Sequence, residues 1–113
     1  MSVVAPALTI QRTSASRAGE IATAAQITFS SVFSDHMLVA SFRDGRWRDA
    51  VIREYGALQL PPNISSLQYG LSVFEGLKAH RLVDGRIALF RPAVNAARLN
   101  RSAARTSCSF IPK

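Results

Sequence analysis

Residues 37–52 read MLVASFRDGRWRDAVI, with the pair Asp44-Gly45 between two runs that are rich in β-branched and aromatic residues. An Asp-Gly pair in this setting is typical of a two-residue hairpin turn. The turn would bring aromatic and aliphatic side chains together on one face of the hairpin. The predicted cross-strand pairs are Arg43 with Arg46, Phe42 with Trp47 and Leu38 with Val51.

A second Asp-Gly pair, Asp84-Gly85, predicts a second hairpin further along the chain. Its predicted pairs are Leu82 with Ile87, His80 with Leu89 and Ala79 with Phe90. Both registers are consistent with the alternation of side chains across a strand.

A helix is predicted over residues 92–106, after the second hairpin, because Pro92 suits the first helical position and apolar residues recur at helical spacing. The apolar positions are Ala96, Leu99 and Ala103. The predicted fold is therefore α+β, a largely antiparallel sheet with two Asp-Gly hairpins packed against this C-terminal helix.

The first 28 residues show neither the helical nor the strand periodicity of apolar residues. They predict a mobile N-terminal arm before a domain over residues 29–113. The arm has arginines at positions 12 and 17 but no acid before Glu20, a composition shared with organelle transit peptides. The single cysteine, Cys108, cannot form an internal disulfide and fits a reducing compartment. We expect a cytoplasmic protein, with a mitochondrial location as the alternative.

Composition excludes several classes of protein. The chain has 113 residues, of which 48% are hydrophobic, so one ordinary domain with a core is expected. Its longest apolar runs are too short to cross a bilayer. Two histidines and one cysteine without zinc-site spacing predict no metal site.

Fourteen basic residues against seven acidic ones give a formal net charge of +7, which leaves open a small basic module that binds nucleic acid. Its candidate contacts are Arg98, Arg101 and Arg105 on the polar side of the predicted helix. No aromatic residues are interleaved with these arginines, as binding of single strands requires. A solvated helix face is the favoured interpretation.

Three segments carry a resemblance to a known family: FSDHMLVASFRDGRWRDA at 33–50, YGLSVFEGLKAHR at 69–81 and LFRPAVNAARLNRSAAR at 89–105. Together they resemble the small domain of branched-chain amino acid aminotransferases, which are pyridoxal-phosphate enzymes of fold type IV. The resemblance covers about residues 33–113. D-amino acid aminotransferases and aminodeoxychorismate lyases share the Tyr-Gly and Val-Phe-Glu words and stay open as alternatives.

The resemblance implies pyridoxal 5′-phosphate as cofactor, with Arg91 at the position that contacts its phosphate. Tyr69, Phe74 and Gly76 match positions around the family's substrate side-chain pocket. The family's Schiff-base lysine belongs to a larger C-terminal domain, and neither Lys78 nor Lys113 matches it. No catalytic residue is therefore expected in this chain.

The activity implied by the resemblance belongs to a longer enzyme. That enzyme would transaminate leucine, isoleucine and valine with 2-oxoglutarate, and it would form a homodimer. The chain by itself is expected to be inactive.

Overall fold

A computed structural model of the chain describes residues 6–17, 27–28 and 30–108. In chain order, the elements within these residues are β1 (Leu8–Ile10), β2 (His36–Arg43), β3 (Arg46–Glu54), α1 (Ser65–Tyr69), β4 (Ala79–Arg81), β5 (Ile87–Leu89) and α2 (Pro92–Arg105). They fall into two compact units, which divide between Gln59 and Leu60. The fold is a small mixed α/β arrangement in which antiparallel pairing predominates.

The first unit contains a three-stranded sheet with the order β1-β3-β2. Strand β3 pairs antiparallel with β2 and parallel with β1, where Leu8 lies opposite Ala50 and Ile10 lies opposite Ile52. The sequence predicts no regular structure in the segment that contains β1, because three residues are too few to show a period. The proposed boundary between an arm and a domain at residue 28 stays a prediction.

The pairing of β2 with β3 changes register once. Arg43 lies opposite Arg46 and Phe42 lies opposite Trp47, but Leu38 faces Ile52 instead of the predicted Val51. The shift falls between Val39 and Ser41, whose partners are Val51 and Arg48, so β3 has one more residue than β2 in this interval. Such a bulge needs an unusual backbone conformation, which Asp49 supplies with a φ of 55°.

In the second unit, β4 and β5 pair antiparallel, with Ala79 opposite Leu89, His80 opposite Ala88 and Arg81 opposite Ile87. The predicted register is therefore wrong by one residue. The Leu82 amide donates to the Arg86 carbonyl over 2.8 Å, which leaves a three-residue connection instead of a two-residue turn. Gly85 closes this connection in the left-handed region with a φ of 82°, as three-residue hairpin loops require.

Helix α2 begins at Pro92 as predicted and ends at Arg105, one residue before the predicted end. Ala103 is buried and Leu99 is half-buried, whereas Ala96 is exposed and does not belong to the inward side. Packing of α2 against a sheet stays a prediction. Helix α1 ends at Gly70, which has a φ of 63° and caps the helix by donating its amide to the Ser65 carbonyl.

Neither helix in the described part of the chain is long and apolar enough to span a membrane. The same residues contain no group of three or more His, Cys, Asp or Glu side chains that could hold a metal ion.

Candidate functional site

A cavity of about 320 Å³ lies in the second unit, between the segment before β4 and the first turns of α2. The lining combines backbone, apolar and cationic groups. Its residues are Gly76, Leu77, Lys78, His80, Phe90, Arg91, Val94, Asn95 and Arg98. Because the charged side chains in this lining are all cationic, the cavity suits an anion.

Arg91 stands at the N-terminus of α2 and brings two anion-binding features to the cavity. Its guanidinium is a permanently charged fork of donors for phosphate or carboxylate oxygens. The helix that it precedes has its positive dipole end at this point, and its first turn contains no acidic residue. Val94 and Asn95 line the same cavity, so the beginning of the helix faces it together with Arg91.

A hydrogen-bonded cluster lies beside the cavity. Arg98 donates from Nε to Oε2 of Glu75 over 2.6 Å and from Nη2 to the other carboxylate oxygen. Asn95 donates from Nδ2 to Oε1 of Glu75 over 3.1 Å and to the Gly76 carbonyl over 2.8 Å. The Arg98 hydrogen bond holds the pKa of the Glu75 carboxyl below its ordinary value, and the carboxylate in turn raises the pKa of Arg98.

This cluster changes the interpretation of the helix arginines. Arg98 is bound to Glu75 and lines the cavity, so it does not belong to a merely solvated face. Arg101 and Arg105 are exposed. Sequence patterns did not indicate the contact between Glu75 and Arg98, because the two residues are 23 positions apart and belong to different kinds of local structure.

The structure brings together two of the four site residues that the resemblance implies. Arg91 and Gly76 line the same cavity. Tyr69, at the end of α1, is 86% exposed, and Phe74 is 90% exposed, and neither lines the cavity. The space beside Gly76 is open, since a Cβ atom there would meet no heavy atom within 4 Å.

Lys78 is also part of the cavity wall, although the resemblance gives it no catalytic role. His80 lines the cavity as well, from β4. Both add polar groups around the space that Arg91 faces, and neither stood out in the sequence because isolated Lys and His residues carry no spacing signal.

Comparison with known proteins gives the following relatives, while no family model matches the chain. The chain is 43% identical over 86 residues to the branched-chain-amino-acid aminotransferase of Mycolicibacterium smegmatis, which covers 75% of this chain and 23% of that protein. It is 48% identical over 80 residues to branched-chain-amino-acid transaminase 1 of Bacillus subtilis, covering 70% of this chain and 22% of that protein. It is 41% identical over 88 residues to the cytosolic branched-chain-amino-acid aminotransferase of Mus musculus, covering 77% of this chain and 23% of the relative.

The chain thus spans less than a quarter of the length of these relatives. Identities of 41–48% over 80 residues or more confirm the resemblance that the three sequence segments indicate. Over about three quarters of its length, this chain is a counterpart of one segment of the branched-chain-amino-acid aminotransferases.

Proposed function

We propose that this chain supplies the phosphate grip and the substrate-selecting wall of a pyridoxal-phosphate-dependent branched-chain amino acid aminotransferase. The observation that carries the proposal is the cationic cavity, which is lined by both Arg91 and Gly76 in a chain that is similar to such enzymes. The catalytic lysine would come from a part of the longer enzyme that this segment does not match.

The residues present fit the phosphate end of the cofactor. A phosphate monoester needs several donors and a positive field, and the cavity offers the Arg91 fork, the Lys78 ammonium and the beginning of α2. When bound, pyridoxal phosphate supplies the electron sink for transamination. Arg91 would hold the phosphate, and Lys78 would add positive charge beside it.

Selection of the amino acid side chain falls to Tyr69, Phe74 and Gly76 in this proposal. The two aromatic rings are exposed in this chain, so their apolar faces are available to a ligand or to another part of the enzyme. Apolar walls suit leucine, isoleucine and valine, whose side chains gain about 25 cal/mol per Å² on burial. The open space beside Gly76 leaves room for a branched side chain.

The complete enzyme would exchange amino groups between branched-chain amino acids and 2-oxo acids such as 2-oxoglutarate. It would act as a homodimer in the cytoplasm, with a mitochondrial location as the alternative if the N-terminal segment directs import.

The proposal is tested with a chimera in which this chain replaces the matched segment of the Bacillus subtilis relative. We expect the chimera to bind pyridoxal phosphate and to transaminate leucine, isoleucine and valine with 2-oxoglutarate. D-alanine serves as the substrate that separates a D-amino acid aminotransferase from a branched-chain enzyme. A folded, cofactor-loaded chimera that turns over D-alanine but not leucine would contradict the proposed substrate class.

A further inference from the structure

The wall of the cavity at Gly76 belongs to a segment without regular structure. Residues 70–78 form neither helix nor strand, so no ladder of backbone hydrogen bonds fixes their position. Nevertheless they carry three of the lining residues, Gly76, Leu77 and Lys78. Some other interaction must hold this segment at a defined distance from Arg91 if the cavity is to keep its shape.

The cluster of Glu75, Asn95 and Arg98 provides that interaction. Asn95 and Arg98 are three positions apart and therefore lie on one side of α2, where both donate to the Glu75 carboxylate. Asn95 also donates to the Gly76 carbonyl, so side chain and backbone of the segment are both attached to the helix. Asn95 is one helical turn after Arg91, so these attachments lie close to the phosphate-binding end of the cavity.

Burial separates Glu75 from the residues around it. Its side chain is only 13% exposed, whereas Phe74 is 90% exposed and Gly76 is exposed. Glu75 is not among the lining residues, although its partners Asn95 and Arg98 are. The carboxylate therefore stands behind the wall and acts on the cavity through the residues that it holds.

We propose that Glu75 is a positioning residue, which through Asn95 and Arg98 fixes the cavity wall at Gly76 relative to Arg91. The inference rests on the proposed function, because it assigns to Glu75 the task of shaping the site that grips the phosphate. For the loss of the Glu75 charge, this proposal predicts a change in phosphate affinity opposite in sign to the change that simple electrostatics predicts. Removing a negative charge near an anion site should tighten anion binding, whereas losing the position of the wall should weaken it.

The test uses the 113-residue chain with Glu75→Gln and Asn95→Ala. Glutamine keeps the size of Glu75 but removes the charge that holds Arg98, and alanine removes both Asn95 hydrogen bonds while favouring the helix. Glu54→Gln is the matched control for the charge change, because Glu54 is an exposed acid at the end of β3 in the other unit. Circular dichroism establishes that each variant keeps its secondary structure.

The first readout is affinity for pyridoxamine 5′-phosphate, whose amine forms no imine with surface lysines, measured by fluorescence titration against phosphate-free pyridoxamine. We expect Glu75→Gln and Asn95→Ala each to weaken binding by about fivefold or more, in the range of coupling between contacting residues. Glu54→Gln should bind as the unchanged chain does or slightly more tightly. Binding by Glu75→Gln that equals or exceeds that of the unchanged chain would overturn the proposal.

The second readout is amide hydrogen exchange at Gly76, Leu77 and Lys78, which does not depend on the ligand. We expect these amides to exchange faster in both cluster variants than in Glu54→Gln. If the unchanged chain binds pyridoxamine 5′-phosphate and pyridoxamine equally well, the proposed phosphate grip is wrong. In that case the rates of amide hydrogen exchange by themselves decide whether Glu75 positions the segment. Unchanged exchange in both variants would refute the positioning role.

Discussion

Arg91 combines a functional side chain with an unfavourable backbone. Its φ of 47° and ψ of 53° lie in the left-handed region, which residues other than Gly, Asn and Asp rarely adopt. It also precedes α2 without a capping hydrogen bond from its side chain to the helix. Residues in such conformations cluster at functional sites, where the side chain is worth more than the strain costs. Arg91 therefore lies where binding and stability make opposite demands on the residue type.

Arg91→Gly should separate these two demands. Glycine adopts the left-handed region without strain and is accepted before a helix, so we expect the free energy of unfolding to rise by up to about 1 kcal/mol. Affinity for pyridoxamine 5′-phosphate should fall by about tenfold or more because a charge-assisted contact is lost. Urea unfolding and fluorescence titration measure the two effects.

Two further variants at position 91 control for this result. Arg91→Ala should lose the same affinity without the gain in stability, and Arg91→Lys should recover part of the affinity, since a point charge replaces a fork. Arg101→Ala is the suitable basic control, because Arg98 lines the cavity whereas Arg101 does not. Equal binding by Arg91→Ala and Arg101→Ala would show that Arg91 does not grip the phosphate.

Asp49 makes the bulge in β3 possible, with a φ of 55° at the point where the pairing shifts. Asp49→Ala should lower the free energy of unfolding by roughly 1 kcal/mol, because alanine tolerates the left-handed region less well than aspartate. Asp49→Gly should leave stability unchanged or raise it. Urea denaturation followed by Trp47 fluorescence measures both, with Glu54→Ala as a strand control of ordinary φ. A chain that loses as much stability with glycine as with alanine would show that the Asp49 side chain matters more than its backbone.

At the scale of the elements, the two hairpins show where sequence patterns reach their limit. The pairs next to Asp44-Gly45 follow from the turn, but pairs beyond the bulge do not, because alternation of side chains does not say where an extra residue is inserted. In the second hairpin, Asp84-Gly85 fits a two-residue turn and a three-residue loop equally well. The Asp84 carboxylate accepts hydrogen bonds from the Arg86 amide and Nε, which favours the longer loop and lowers the pKa of Asp84.

Helix α2 was predictable because Pro92 marks its beginning and apolar residues recur over fourteen residues. Helix α1 and strand β1 were not, since elements of five and three residues depend on tertiary contacts instead of local pattern. The candidate site shows the same division. Arg91 and Gly76 follow from the family resemblance, but the bonds between Glu75 and α2 connect distant segments and became visible only in the structure.

Asp35, the residue before strand β2, holds the segment after β1 through a carboxylate that should respond to pH. Asp35 accepts hydrogen bonds from the Ser16 hydroxyl over 2.6 Å and from the Arg17 amide over 3.0 Å. These bonds, that of Ser16 first, hold the pKa of Asp35 below its ordinary value of 3.8. Because the pKa is lower in the folded chain, the attachment stabilises the fold above this value and is lost as the pH falls through the lower pKa of the folded state.

We therefore expect the Arg17 amide proton resonance to move upfield as the pH is lowered below about 4, when protonation of Asp35 weakens its acceptor. Heteronuclear NMR between pH 6 and pH 2 follows this resonance. Asp35→Asn should remove the titration while leaving β2 and β3 paired. If the Arg17 resonance titrates identically in Asp35→Asn, the carboxylate is not the group that the segment senses.

At the scale of the whole chain, burial is slight. Ala103 is the one fully buried apolar residue in the part of the chain that the structure describes, while Tyr69, Phe74 and Phe90 are each more than 70% exposed. Contiguous exposed apolar surface promotes association and dye binding.

We expect the chain to enhance anilinonaphthalene sulfonate fluorescence at neutral pH, and the chimera with the Bacillus subtilis relative to do so much less. Equal enhancement by both would show that the rest of such an enzyme does not cover these side chains.

The 113-residue chain by itself should have no aminotransferase activity, even though it carries the proposed phosphate grip. A transaminase needs a lysine that reacts with the cofactor and moves a proton, and the family resemblance assigns this role to neither Lys78 nor Lys113. Lys78 is the one to examine, because it lines the cavity together with Arg91.

Borohydride reduction in the presence of pyridoxal phosphate, followed by peptide mapping, shows which lysine forms an imine with the cofactor. We expect labelling of Lys78 well below one equivalent, and no turnover of leucine with 2-oxoglutarate in the chain or in Lys78→Gln. The chimera provides the positive control, since its partner segment would supply the lysine. Stoichiometric labelling of Lys78, together with turnover that Lys78→Gln abolishes, would instead make this residue catalytic. The proposal that the catalytic lysine comes from another part of the enzyme would then be wrong.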